Sequence, residues 1–109
     1  MARNYIQPGD TITIPAPAAV AGGFPVVAGD IVGIAQGDAA INSPVDVKCS
    51  GVWELPKIAA NNFALGAAVY WDAGDELATT TATDNTKLGA AVEAAPADTA
   101  SVRVRLSGF

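Results

Sequence analysis

The chain has no histidine, a single cysteine and few aromatic residues among its 109 residues. Without an imidazole base, neither a serine nor a cysteine nucleophile has its usual activator, and acid–base work would need carboxylates gathered by the fold. Cys49 has no partner for an internal disulfide. None of Lys48, Lys57 and Lys87 follows a glycine, which excludes a phosphate-cradling loop ending in Gly-Lys-Ser/Thr. Basic residues are scarce: Arg3, Lys48, Lys57, Lys87, Arg103 and Arg105 stand against 11 acidic residues, for a net charge of −5. They are scattered, whereas a nucleic-acid binder presents a basic face, so no nucleic-acid partner is expected. No apolar run approaches the roughly 18 residues of a membrane span. Met1-Ala2-Arg3-Asn4 leads into no apolar segment, so neither a membrane partner nor a secretory leader is expected. No cofactor or metal is expected, and the chain does not read as an enzyme.

What is present is β signal. From Val45 to Cys49, valine and cysteine alternate with Asp46 and Lys48, a period of two that buries one face. Gly51 interrupts the pattern, and a glycine there predicts a bulge or a close backbone approach. Val52–Leu55 resumes it and Pro56, which cannot donate to a ladder, ends it. Residues 57–65 read as a short helical turn or as a loop that tucks Phe63 inward. Ala67–Trp71 predicts another strand, closed by the turn formers Asp72-Ala73-Gly74-Asp75.

Elsewhere, Pro8-Gly9-Asp10 predicts a turn and Thr11–Ile14 a strand. Gly22-Gly23 allows a tight turn, and Val26-Val27 can begin a strand. Ile31–Ala35, apolar throughout and bounded by turn residues, suits a strand buried on both faces. The threonine cluster in Glu76–Thr83 favours β structure. Lys87–Ala94 is ambiguous, since alanine favours helix and Gly89 favours strand. Ser101–Leu106 is the cleanest strand, with Val102, Val104 and Leu106 facing one way and Arg103 and Arg105 the other. Short strands with turns every eight to twelve residues predict an all-β, single-domain barrel or sandwich. An extended N-terminal arm over residues 1–10 would precede a β-rich domain over 11–109, with at most one short helical turn near 57–64. Many of the apolar residues are alanines that bury little area each, so the core is modest and an oligomer could complete it.

Few residues stand out for function. Cys49 falls on the apolar side of its strand and reads as a buried thiol rather than a reactive one. Asp72, Asp75 and Glu76 read as a solvated turn, with a weak cation site as the alternative. Trp53, Tyr70 and Trp71 read as core or subunit-interface residues, with a ligand platform as the minor reading. Arg103 and Arg105 share a strand face that either meets an acidic partner or lies in solvent.

Several pieces resemble, in their order, a family of small head proteins of tailed phages, the capsid cement or decoration proteins. These are Asn4–Asp10, Gly51–Lys57, Gly66 with Ala68–Asp72, Leu88-Gly89 with Ala91, and Val102–Leu106. The resemblance spans nearly the whole chain. Some relatives carry a RecA-like recombinase label, which the missing phosphate loop, short length and acidity of this chain argue against. The resemblance implies a structural virion protein, made in the bacterial host cytoplasm, that binds the outer surface of the assembled head. Its partner would be the major capsid protein, and it would act as a homo-oligomer, a trimer being favoured over a dimer. The candidate capsid or subunit interface is then Tyr5, Ile6, Trp53, Trp71, Arg103 and Arg105. The alternative is a virion-surface module that recognises carbohydrate or a host surface.

Overall fold

Strand-forming residues in this chain come in runs of three to six, most of them ended at or near a glycine, proline or aspartate. In the computed structural model, which describes Asn4, Ile6, Gln7 and residues 9–106, these runs become nine strands and, among the described residues, no helix. They are β1 (Thr11–Pro15), β2 (Pro25–Ala28), β3 (Ile31–Ala35), β4 (Pro44–Lys48) and β5 (Val52–Pro56), then β6 (Ala68–Asp72), β7 (Leu77–Thr79), β8 (Thr86–Ala91) and β9 (Ser101–Leu106). Half of the predicted arm, namely Met1–Arg3, Tyr5 and Pro8, lies outside the described residues.

The strands form two antiparallel sheets, in the orders β1-β4-β3-β2 and β5-β9-β8-β6-β7. They fit a sandwich and do not close into a barrel. In the first sheet, β1 runs along β4 with Ile12 opposite Val47 and Ile14 opposite Val45. The Thr13 hydroxyl donates to the Asp46 carboxylate across the same ladder. Gly29 and Asp30 join β2 to β3, and Gly29 has φ +63°, which a right-twisted two-residue hairpin favours at its first position. Gly33 lies so close to β4 that a Cβ there would meet the Lys48 carbonyl oxygen at 2.6 Å.

In the second sheet, the β6–β8 register shifts between Val69, opposite Gly89, and Tyr70, opposite Lys87. Both Leu88 and Gly89 are buried there. A Cβ on Gly89 would sit 1.9 Å from the Arg105 carbonyl oxygen, so β8 approaches β9 this closely only because the residue is glycine. That resolves the ambiguous Lys87–Ala94 segment in favour of strand through Ala91.

Two hydrophobic clusters result. The larger lies between the sheets and holds Val32, Ile34, Leu55, Phe63, Val69, Trp71 and Leu88 with Val102, Val104 and Leu106. The smaller lies on the other side of the first sheet, where Ala16, Val26, Ala35, Val45 and Val47 pack with Ile12, Ile14 and Val20. Because β3 sends Val32 and Ile34 to one cluster and Ala35 to the other, it is covered on both faces, as its unbroken apolar run predicts. Two small cores side by side give an elongated body, 49 × 34 × 23 Å.

One expectation changes. Gly51 is no bulge within a strand: β4 and β5 belong to different sheets, and residues 49–51 form the corner between them. Gly51 has φ +101°, a conformation side chains resist, and the Trp53 indole lies against it. The indole Nε1–H donates to the Ser50 carbonyl at 2.9 Å and fixes that corner.

Candidate functional site

Surface chemistry concentrates on the outer face of the five-stranded sheet. Alternation along β5 and β9 turns Leu55, Val102, Val104 and Leu106 inward and leaves Val52, Glu54, Arg103 and Arg105 exposed. The registers set Val52 beside Arg105 and Glu54 beside Arg103, and Ala90 of β8 flanks Arg105 from the other side. Arg103 makes a loose, solvent-exposed ion pair with Glu93 at 3.7 Å, which contributes little to stability. Among the described residues, Arg105 has no ion pair. Tyr70 and Lys87, opposite one another across β6 and β8, extend the same face. This face therefore gathers Lys87, Arg103 and Arg105 in a chain whose net charge is −5.

The six sequence-derived candidates are scattered. Arg103 and Arg105 share the face just described. Trp53 is half-buried on the inner side of β5, and Trp71 is 5% exposed, its ring edge-on to Phe24 with centroids 6.3 Å apart. Trp71 thus packs within the chain's own core. Ile6 is 85% exposed and Tyr5 lies outside the described residues. Val52 escaped notice in the sequence, although it is 54% exposed beside the arginines. Its place two residues before Glu54, on the polar side of the strand's alternation, was the available signal.

Trp71 and Phe24 also line a cleft of about 440 Å³, together with Pro25–Val27, Pro17–Ala21 and Glu76. Its one charged side chain is the exposed Glu76, too little to support chemistry. The neighbouring acidic turn is internally organised: Asp72 Oδ1 accepts the backbone N–H of Gly74 at 3.0 Å and of Asp75 at 3.2 Å. Among the described residues, no group of three potential ligands gathers for a metal ion. Cys49 is half-buried, and burial first, then the Asp10 carboxylate, pushes its thiol up from the ordinary value.

The least expected residue is Lys57. It is 3% exposed, and its ammonium donates to the carbonyls of Ile58 at 3.2 Å, Ala59 at 3.1 Å and Asn61 at 2.7 Å. Asn61 in turn accepts from the Thr79 hydroxyl and the Thr80 N–H. The lysine thus organises the loop after β5 and holds it against β7, where Lys57 bridges Ala78. This is architecture without an exposed reactive group.

A family model for phage cement proteins matches residues 6–106. The chain belongs to the phage cement protein family. No curated protein and no solved structure matches it significantly. Membership makes this cement-family chain a structural protein of the phage capsid. The match takes in all nine strands, both sheets and every candidate interface residue except Tyr5.

Proposed function

We propose that this chain binds the outer surface of the assembled phage head as a homo-oligomer and stabilises the capsid lattice. The observation that carries the reading is the family match over residues 6–106, nearly the whole chain. The physical action is linkage: a protein that binds the assembled lattice but not free coat subunits stabilises the lattice by mass action. An oligomer that touches neighbouring capsomers gains further, because its second contact forms at high effective concentration.

The docking surface in this reading combines the N-terminal arm with the outer face of β5 and β9. Ile6 is the most exposed large apolar side chain among the described residues, and no folded segment covers it. Arg103 and Arg105 supply positive charge toward an acidic patch of the major capsid protein, while the net negative charge of the whole chain suits a position away from packaged DNA. The chain is made in the bacterial cytoplasm and joins the shell after assembly. Among the described residues the aromatic side chains form no exposed platform that would favour the carbohydrate-binding alternative: Trp71 is buried, Trp53 faces inward and Tyr70 stands alone on the outer face.

Shell stability tests the proposal. Mature shells of the encoding phage, stripped of this protein, should disrupt at a higher temperature when it is added back. The gain should grow with protein concentration and saturate. Unchanged shell disruption at saturating protein would refute lattice stabilisation.

A further inference from the structure

We infer that β5 is a self-pairing edge, and that two copies of this chain join antiparallel through Val52–Glu54, centred on Trp53. The inference rests on the reading of the chain as a homo-oligomer and specifies the contact. Leu106 donates to the Gly51 carbonyl at 3.0 Å and Lys57 to the Ala100 carbonyl at 3.1 Å. With the β5–β9 register, these bonds direct the backbone groups of Gly51, Trp53, Leu55 and Lys57 toward β9. The N–H and C=O groups of Val52 and Glu54 therefore point away from β9, along the free edge of the sheet. Among the described residues, nothing pairs with them.

All four sheet edges are guarded over part of their length. Ile58 donates to the Ala78 carbonyl at 2.9 Å, which closes β7 together with the Lys57 end of the β5 edge and leaves Val52–Glu54 open. β2 begins at Pro25, β1 ends at Pro15 and β5 ends at Pro56, each lacking a donor at that end of its edge. Before Pro56, the β5 edge at Val52–Leu55 carries no proline, bulge or lysine, and exposed Val52 stands on it.

The occupant is a second copy because this edge complements itself. With Trp53 opposite Trp53 of the second copy, Val52 meets Glu54 of that copy and exchanges both backbone hydrogen bonds with it. No like charges then face one another across the seam. Each row across the joined outer face runs Arg105, Val52, then Glu54 and Arg103 of the second copy. The Glu54 carboxylate, which makes no ion pair among the described residues, lies within reach of the second copy's Arg105 across the short Val52 side chain. On the inner face the two partly buried indoles meet as a non-hydrogen-bonded pair, the closest cross-strand position, and cover what remains open of each other. The contact is two-fold and self-complementary, so it yields a dimer, where a trimer would need a head-to-tail contact.

Sedimentation velocity over a concentration series of the full chain, with Trp fluorescence as a second signal, tests this. Wild type should form dimers. Glu54→Pro deletes an edge N–H without touching the β5–β9 ladder. It should raise the dimer dissociation constant by roughly a hundredfold with an unchanged circular dichroism spectrum. Thr13→Pro, the matching change on the β1 edge, should leave the dimer intact. Val52→Glu should break the dimer by opposing like charges, and Val52→Glu with Glu54→Lys should restore it. A wild-type monomer or trimer at all concentrations would overturn the inference. So would an undiminished dimer in folded Glu54→Pro, or failure of the charge pair to rescue. Shell binding is scored separately: a monomer that still binds shells overturns edge pairing alone, and a dimer that ignores shells counts only against the capsid reading.

Discussion

Replacing Lys57 by methionine should cost this protein a large part of its stability. The methionine keeps most of the aliphatic stem and removes the ammonium, leaving the carbonyls of Ile58, Ala59 and Asn61 without their shared donor. Hydrogen bonds from a charged donor contribute about 1.5–3 kcal/mol each, and a buried carbonyl left unsatisfied costs about 1–3 kcal/mol. Against that, burying an ammonium carries a desolvation penalty of several kcal/mol, which the variant no longer bears. The loop at 59–62 is partly exposed, so water can reach some of the freed carbonyls. The balance is a net loss of about 2–4 kcal/mol, which for a domain of this size lowers Tm by roughly 10–20 °C. Lys57→Arg should fall between, because a planar guanidinium cannot point three donors at converging carbonyls as an ammonium does. Urea unfolding followed by circular dichroism gives the midpoint and slope. The loop should also loosen first, with faster amide exchange at Ile58 and Thr80, whose N–H groups bond Ala78 and Asn61. A Lys57→Met protein as stable as wild type, within about 0.5 kcal/mol, would refute the claim that this cage holds the β5–β7 seam.

The tryptophans should separate: Trp71→Ala, in the core, should cost about 3–5 kcal/mol, and half-buried Trp53→Ala about 1–2 kcal/mol, by chemical denaturation. Gly89→Ala forces a Cβ onto the Arg105 carbonyl and should cost about 3 kcal/mol or prevent folding, while Gly37→Ala, with open space around it, should stay within about 0.5 kcal/mol. Cys49 should react with a thiol-directed disulfide reagent more slowly in the native protein at pH 8 than in urea. Because the native thiol is raised, its contribution to stability is fully present below the unfolded thiol's ordinary value and is lost as pH climbs through the native one, so Cys49→Ser should flatten the alkaline limb of the stability profile. Deleting residues 2–7 should abolish shell binding with the fold intact, and Arg103→Glu with Arg105→Glu should weaken binding and its salt dependence; unchanged binding in either would remove that surface from the interface.

Much of the fold is legible in local pattern, because a half-buried strand writes its burial as alternation. Val45–Lys48 and Ser101–Leu106 follow that rule, and Ile31–Ala35 shows the unbroken apolar run of a strand covered on both sides. Phe63 tucks inward from its loop, bonded both ways to Ala95 at 2.8 Å. What the sequence conceals is non-local. Gly51 interrupts a strand pattern as a bulge would, and only the pairing of β4 and β5 with different partners makes it a corner. Lys57 after a proline resembles any surface lysine, since its acceptors are backbone carbonyls that carry no side-chain signature. Gly89 is required by a carbonyl sixteen positions away in the chain, on β9. At the candidate site, alternation exposes the arginines correctly but does not say that Val52 and Glu54 share their face, because that follows from the β5–β9 register.

The measurement that bears most directly on function is co-sedimentation of the purified chain with mature capsid shells of the encoding phage, alongside procapsids and DNA. Saturable binding to mature shells alone, in a fixed ratio to the coat protein, is the predicted result, and that ratio would identify the symmetry axis occupied. Absence from the shell pellet, or co-sedimentation with DNA instead, would contradict the assignment of this protein to the outside of the head.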